Sequence, residues 1–138
     1  MPATAAAQAT SLYDIEGFLK QIGDVPVTTD MQRVRLRSRD YFWYSPVLNK
    51  QLHGKSADIV ATPRNEADVI RVAAACAKLR IPLTPRGAAT GNYGQAVPLE
   101  GGVLLDLTAG VAPETIDAAL RQLTAAGVEL VGEVAAAR

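Results

Sequence analysis

A chain of 138 residues has the length of one ordinary domain, and 49% hydrophobic residues are enough to build a core. Fourteen basic side chains balance fourteen acidic ones, so no net field argues for a nucleic acid or an anionic membrane as partner, and any anion must be held locally. The single cysteine, Cys76, excludes an internal disulfide framework.

Taken in chain order, residues 1–10 are rich in alanine without a basic residue or a leucine-rich stretch. They are read as a disordered lead-in rather than a secretory signal, and no later run has membrane-spanning length. The expected location is cytoplasmic. Residues 11–55 are read as an N-terminal helix and an irregular segment. Ser11 to Gly23 forms the helix: Ser11 caps it, Leu12, Ile15, Leu19 and Ile22 recur at helical spacing, and Gly23 ends it. Val25 to Leu52 gives mixed signals and is read as mostly loop. It holds a turn-like Thr28-Thr29-Asp30, the alternating Arg33, Arg35, Arg37 and Arg39, and the aromatic run Tyr41-Phe42-Trp43-Tyr44. The arginines suggest a solvated strand edge, and His53 reads as a surface histidine.

Residues 56–108 are clearer. Ala57 to Thr62 is a short apolar strand stopped by Pro63, and Asn65 begins a helix running to about Leu79. Val69, Val72, Ala73, Cys76, Leu79 and Ile81 carry its apolar stripe, with Cys76 as a small core hydrophobe. Arg64, Glu66, Asp68, Arg71, Lys78 and Arg80 are placed outside. Ile81 to Thr84 is a second strand, Gly101-Gly102 a turn, and Val103 to Leu107 a third strand with the continuous apolar character of buried parallel strands. The fold class expected is α/β (α+β), a small sheet based on a βαβ unit with flanking helices, whose ligand site lies beyond the carboxyl ends of the strands. In residues 109–138, Pro113-Glu114 opens a helix with Ile116, Leu120 and Leu123 on one face, Gly127 closes it, and Val128 to Val134 is a candidate final strand.

The chemistry is expected in the loop Pro85-Arg86-Gly87-Ala88-Ala89-Thr90-Gly91-Asn92-Tyr93-Gly94-Gln95-Ala96-Val97-Pro98. Small residues let main-chain amides approach phosphate oxygens closely. Each such hydrogen bond to an anion is worth about 1.5–3 kcal/mol, so three or four could hold a diphosphate without a lysine. Thr90 and Gln95 can add side-chain hydrogen bonds, and Arg86 can either meet a phosphate or anchor the loop to a carboxylate. The pattern is neither a Walker loop, which ends in Gly-Lys-Ser/Thr, nor a dinucleotide fingerprint that runs into a helix. No nucleophile and base pair and no metal-ligand cluster can be assembled from one cysteine, one histidine and scattered carboxylates.

The ordered blocks Asp58-Ile59-Val60-Ala61-Thr62-Pro63, Asn65-Glu66-Ala67-Asp68-Val69, Ile81 to Gly87, Gly91 to Pro98 and Gly102 to Leu107 resemble the FAD-linked oxidases. That flavoprotein family includes vanillyl-alcohol oxidase, para-cresol methylhydroxylase, D-lactate dehydrogenases and glycolate oxidase subunits. The resemblance covers the first half of a PCMH-type FAD-binding domain and reaches back to Arg39-Asp40-Tyr41, but residues 109–138 do not align with it by eye. It implies FAD as cofactor, with the diphosphate on the amides of Arg86, Gly87, Ala88, Ala89, Thr90 and Gly91, Gly94 and Gln95 nearby, and Pro63 at the adenine side. Many relatives carry three successive glycines where this chain has Gly87-Ala88-Ala89, so a positive φ at either alanine would weaken binding.

The function implied is FAD binding within a flavin-dependent oxidoreductase acting on a small hydroxy acid or alcohol. That reaction needs a second half-domain and a substrate domain, so an oligomer or a completing chain is a candidate partner. Two other readings stand beside it. One is a truncated, non-enzymatic remnant or interaction module that associates through faces the lost parts once covered. The other is a phosphate or nucleotide binder unrelated to flavin.

Overall fold

The computed structural model describes residues 11–40 and 45–108, together with Arg121 and Ala125. The aromatic run at 41–44, the lead-in at 1–10 and the expected helix and strand of 109–138 lie outside the described residues. The elements are α1 (Ile15–Ile22), β1 (Val27–Thr28), α2 (Met31–Arg37), α3 (Pro46–Leu52), β2 (Ile59–Ala61), α4 (Glu66–Leu79), β3 (Leu83–Arg86) and β4 (Val103–Asp106).

The helices begin where their caps put them. α1 starts after Asp14, whose Oδ1 accepts the Gly17 amide at 2.8 Å, so Asp14 and not Ser11 is its cap. Leu12 is left 93% exposed. Ser11 instead accepts the amide of Tyr13 ahead of the helix. The segment read as mostly loop contains β1, α2 and α3. Asp30 caps α2 and Ser45, followed by Pro46, opens α3. Arg33, Arg35 and Arg37 therefore lie on α2 rather than on a strand edge, and Arg39 follows its end. A period of two cannot be maintained around a helix, so the arginines point different ways, with Arg33 paired to Asp30 and Arg37 to Asp106.

The sheet has four strands in the order β1-β2-β4-β3. β2, β4 and β3 are parallel, with Ile59 and Leu83 both in register with Val103, while β1 is antiparallel to β2. The βαβ unit expected from the sequence is present as β2, α4 and β3, but β4 inserts between its two strands. β3 extends two residues past Thr84 and contains Pro85, tolerated because β3 lies at the edge of the sheet, where a missing amide breaks no ladder.

Alternate residues of β2 and β4 face opposite layers. Ile59, Ala61, Val103 and Leu105 pack with Phe18, Ile22, Val72 and Cys76 of α1 and α4. Val60 and Leu104 pack with Val34 of α2 and Ala57. Fully burying a side chain such as Phe18 or Ile22 contributes about 1.5–3 kcal/mol. Three residues of α4 depart from the expected stripe. Ala73 is exposed, Ala75 is buried instead, and Asp68, placed outside on grounds of charge, is fully buried. The reason is local: the Asp68 carboxylate accepts the Arg64 amide at 3.0 Å and Arg64 Nε at 2.8 Å, and also pairs with Arg71. No described helix is long and apolar enough to cross a membrane.

Candidate functional site: the loop between β3 and β4

β3 delivers the chain to the carboxyl edge of the sheet, and the segment from Gly87 onward returns it to β4 through the Gly101-Gly102 turn. Both ends of the loop are fixed. At its start, Arg86 is 93% buried, and its guanidinium donates to the Gly87 carbonyl at 3.1 Å and to Thr108 Oγ1 at 3.2 Å. Asp106, at the end of β4, lies 3.8 Å from the same guanidinium and 3.0 Å from that of Arg37 on α2. The Thr108 hydroxyl, with one proton to donate, stands within hydrogen-bond reach of both the Gly87 carbonyl oxygen and the Asp106 carboxylate. Of the two roles open to Arg86, the structure shows anchoring, while Arg86 Nε is buried without a partner among the described residues. At the loop's far end Ala96, Val97 and Pro98 are buried.

Between these anchors the amides divide into two groups. Those of Gly94, Gln95 and Ala96 converge on the carboxylate of Asp40, at 2.7, 3.2 and 3.2 Å. Asp40 is 2% exposed and arrives from the segment after α2. Those of Gly87, Ala88, Ala89, Thr90 and Gly91 meet no acceptor among the described residues. Gly87 faces open space, with nothing within 4 Å of where a Cβ would stand. Ala89 adopts φ +54 while Ala88 does not have a positive φ, so the methyl carries backbone strain at one of the two positions.

The loop thus presents five consecutive amides with no acceptor among the described residues, with open space at Gly87 and closer packing at Ala89 and Gly91. Thr90 is exposed; the Gln95 side chain is engaged within the loop, its Oε1 accepting the Tyr93 amide. Pro63 is buried at the carboxyl end of β2, on the same edge of the sheet. His53 is exposed at the end of α3. Among the described residues no group of three His, Cys, Asp or Glu could hold a metal ion.

Sequence reasoning missed Asp40 as part of the site. The only signal was that the resemblance reaches back to Arg39-Asp40-Tyr41, because a carboxylate 54 residues before Gly94 in sequence announces nothing about its partner. It also left open whether Arg86 meets a phosphate or anchors the loop.

The mostly parallel sheet, with a glycine-bearing loop at the carboxyl ends of its strands, is the architecture of an α/β cofactor-binding domain. The particular family follows from comparison. The family model described as FAD binding domain matches residues 57–137, more than half of the chain, and the chain belongs to that family, within the FAD-linked oxidases. The family's cofactor is FAD. The match continues through residues 109–137, past the blocks that carry the resemblance.

The chain is 47% identical over 47 residues to the glycolate oxidase subunit GlcD of Escherichia coli K12, covering 34% of this chain and 9% of that one. It is 40% identical over 48 residues to GlcD of Bacillus subtilis, covering 35% and 10%. Mitochondrial D-lactate dehydrogenase [cytochrome] of Arabidopsis thaliana is 33% identical over 51 residues, covering 37% and 9%. The shared stretch is thus about a tenth of each relative's length. A solved structure of alkyldihydroxyacetonephosphate synthase superposes with TM-score 0.48 at 16% identity, covering 57% of this chain and 16% of that one.

Proposed function

We propose that the amides of Gly87 to Gly91 hold the FAD diphosphate for a flavin-dependent oxidoreductase that acts on a small hydroxy acid or alcohol. The observation that carries this reading is the run of five amides without an acceptor among the described residues, beside the buried Arg86 with its orphaned Nε. Arg86 holds the start of the run and adds positive charge behind it, Thr90 lies exposed within reach of solvent-side oxygens, and Gly94 and Gln95 shape the far side. Pro63 is assigned to the adenine side. The hydroxy-acid substrate is suggested by the names of the relatives, glycolate oxidase and D-lactate dehydrogenase. Bound FAD would supply the hydride acceptor. Groups that bind substrate and move its protons are assigned to parts of the enzyme outside this stretch, since the shared segment is about a tenth of the relatives.

Titration with FAD, read by flavin fluorescence and thermal shift, tests the proposal. Free FAD at 100 times its Kd should stabilise the fold by about 2.7 kcal/mol. Gly91→Val serves as control, because even a Cβ there would stand 2.5 Å from Gln95 Oε1 and 3.3 Å from Asp40 Oδ2. Saturable binding lost in Gly91→Val supports the reading, and an unchanged melting temperature at millimolar FAD rejects it. ADP should compete with FAD and riboflavin should not, because the grip is on the diphosphate.

A further inference from the structure

We propose that Asp40 is a positioning residue that acts as an internal anion, filling one amide nest of the loop so that the cofactor's diphosphate can enter only the other. Three successive amides, Gly94, Gln95 and Ala96, converge on one buried carboxylate at 2.7 to 3.2 Å. Converging main-chain amides are what the loop would otherwise offer to a phosphate oxygen, so the chain has supplied its own anion to that half. The Gly87 to Gly91 half has no such internal acceptor among the described residues. The two halves share the same loop, and Gly91 lies close enough that a Cβ there would stand 3.3 Å from Asp40 Oδ2. Fixing Gly94 to Ala96 therefore also fixes where the run of amides without an acceptor among the described residues ends.

Leu52 of α3 closes the other side of the nest, since a Cβ on Gly94, which sits at φ +84, would stand 2.3 Å from Leu52 Cδ1. Leu52 thus holds the main chain at Gly94 in place, with no room for a side chain there. The charge on Asp40 also repels a diphosphate from Gly94 to Ala96 and leaves Gly87 to Gly91 as the favourable place.

Placing the diphosphate on Gly87 to Gly91 rests on the flavin reading, but the hold of Asp40 on its three amides does not, and the test separates them. Amide hydrogen exchange is measured by NMR on the full 138-residue chain and on its Asp40→Asn and Asp40→Ala variants. A carboxamide keeps an acceptor oxygen but loses the charge, so in Asp40→Asn exchange at Gly94, Gln95 and Ala96 should rise about tenfold. The strands β2 and β4 should keep their protection. Formate added to Asp40→Ala should restore protection at these three amides, a rescue that a merely space-filling role would not give. Unchanged protection in Asp40→Asn, or loss of protection across the whole sheet with no recovery in formate, overturns the proposal.

The second arm titrates the wild-type chain with inorganic diphosphate and with FAD. Shifts confined to Gly87 through Gly91 support the division of the loop. Shifts centred on Gly94 to Ala96 overturn it. If neither ligand shifts any loop amide while protection at Gly94 to Ala96 still depends on Asp40, the flavin reading and the diphosphate placement fall together, and the internal-anion role of Asp40 stands.

Discussion

Asp68 shows how a charged residue becomes part of a core. It has no exposed surface, yet every carboxylate oxygen has a donor from Arg64 or Arg71, and the same two guanidinia reach out to Asp24 at 2.9 and 3.0 Å. The hydrogen bond from Arg64 is the main reason its carboxyl titrates well below the usual carboxylate range. A depressed native pKa stabilises the fold above the unfolded value and the contribution fades as pH falls through the native one. Asp68→Asn should therefore lower stability by about 2 kcal/mol at pH 7, discounted because both arginines are part-exposed. The difference from wild type should stay level from pH 6 to 8 and shrink below about pH 4 in urea melts across that range. Cys76 behaves oppositely: burial pushes its thiol up to about 11. It should resist a disulfide reagent at pH 8 in the native chain and react promptly once unfolded, and fast native labelling would contradict its burial. Ala89, at φ +54, should gain from Ala89→Gly relative to Ala88→Gly by about 1–2 kcal/mol, because only the former relieves a left-handed strain.

Elements are placed by a few contacts far apart in sequence. α2 was hidden because four arginines at every second residue imitate a strand, whereas its cap at Asp30, its buried Val34 and the Arg37 to Asp106 pair at 3.0 Å bind it as a helix against the sheet. β4 enters between β2 and β3 at Gly102, which has φ +77 and sits so close to β3 that a Cβ would stand 2.3 Å from the Pro82 carbonyl oxygen. The Gly102 amide also donates to Asp58 Oδ2 at 2.6 Å, which ties the start of β4 to the start of β2. Gly102→Ala must therefore combine backbone strain with a main-chain clash, and a loss of about 3 kcal/mol is expected in denaturant unfolding. An equal loss in Gly54→Ala, where φ is +79 but nothing lies within 4 Å, would mean that the close approach to Pro82 adds nothing.

At the scale of the molecule, α1 and α4 cover one face of the sheet and α2 part of the other, with the loop at its carboxyl edge. The reading as an interaction remnant predicts self-association, so light scattering on a size-exclusion column should show a concentration-dependent mass if it holds and a single monomer mass if it does not. The sequence by itself determined the local features: the strands at 57–62 and 103–107, the helix after Asn65, the burial of Cys76 and a loop rich in glycine and alanine between the last two strands. These are written in periodicity, caps and composition, which act between near neighbours. Only the tertiary structure decided that β4 lies between β2 and β3, that Asp68 is buried, that Arg86 anchors the loop, and that Asp40 takes the amides of Gly94 to Ala96. Each depends on a partner many residues away or on a buried hydrogen bond that overrides the exposure its charge would suggest, and such pairings have no period for a sequence to display.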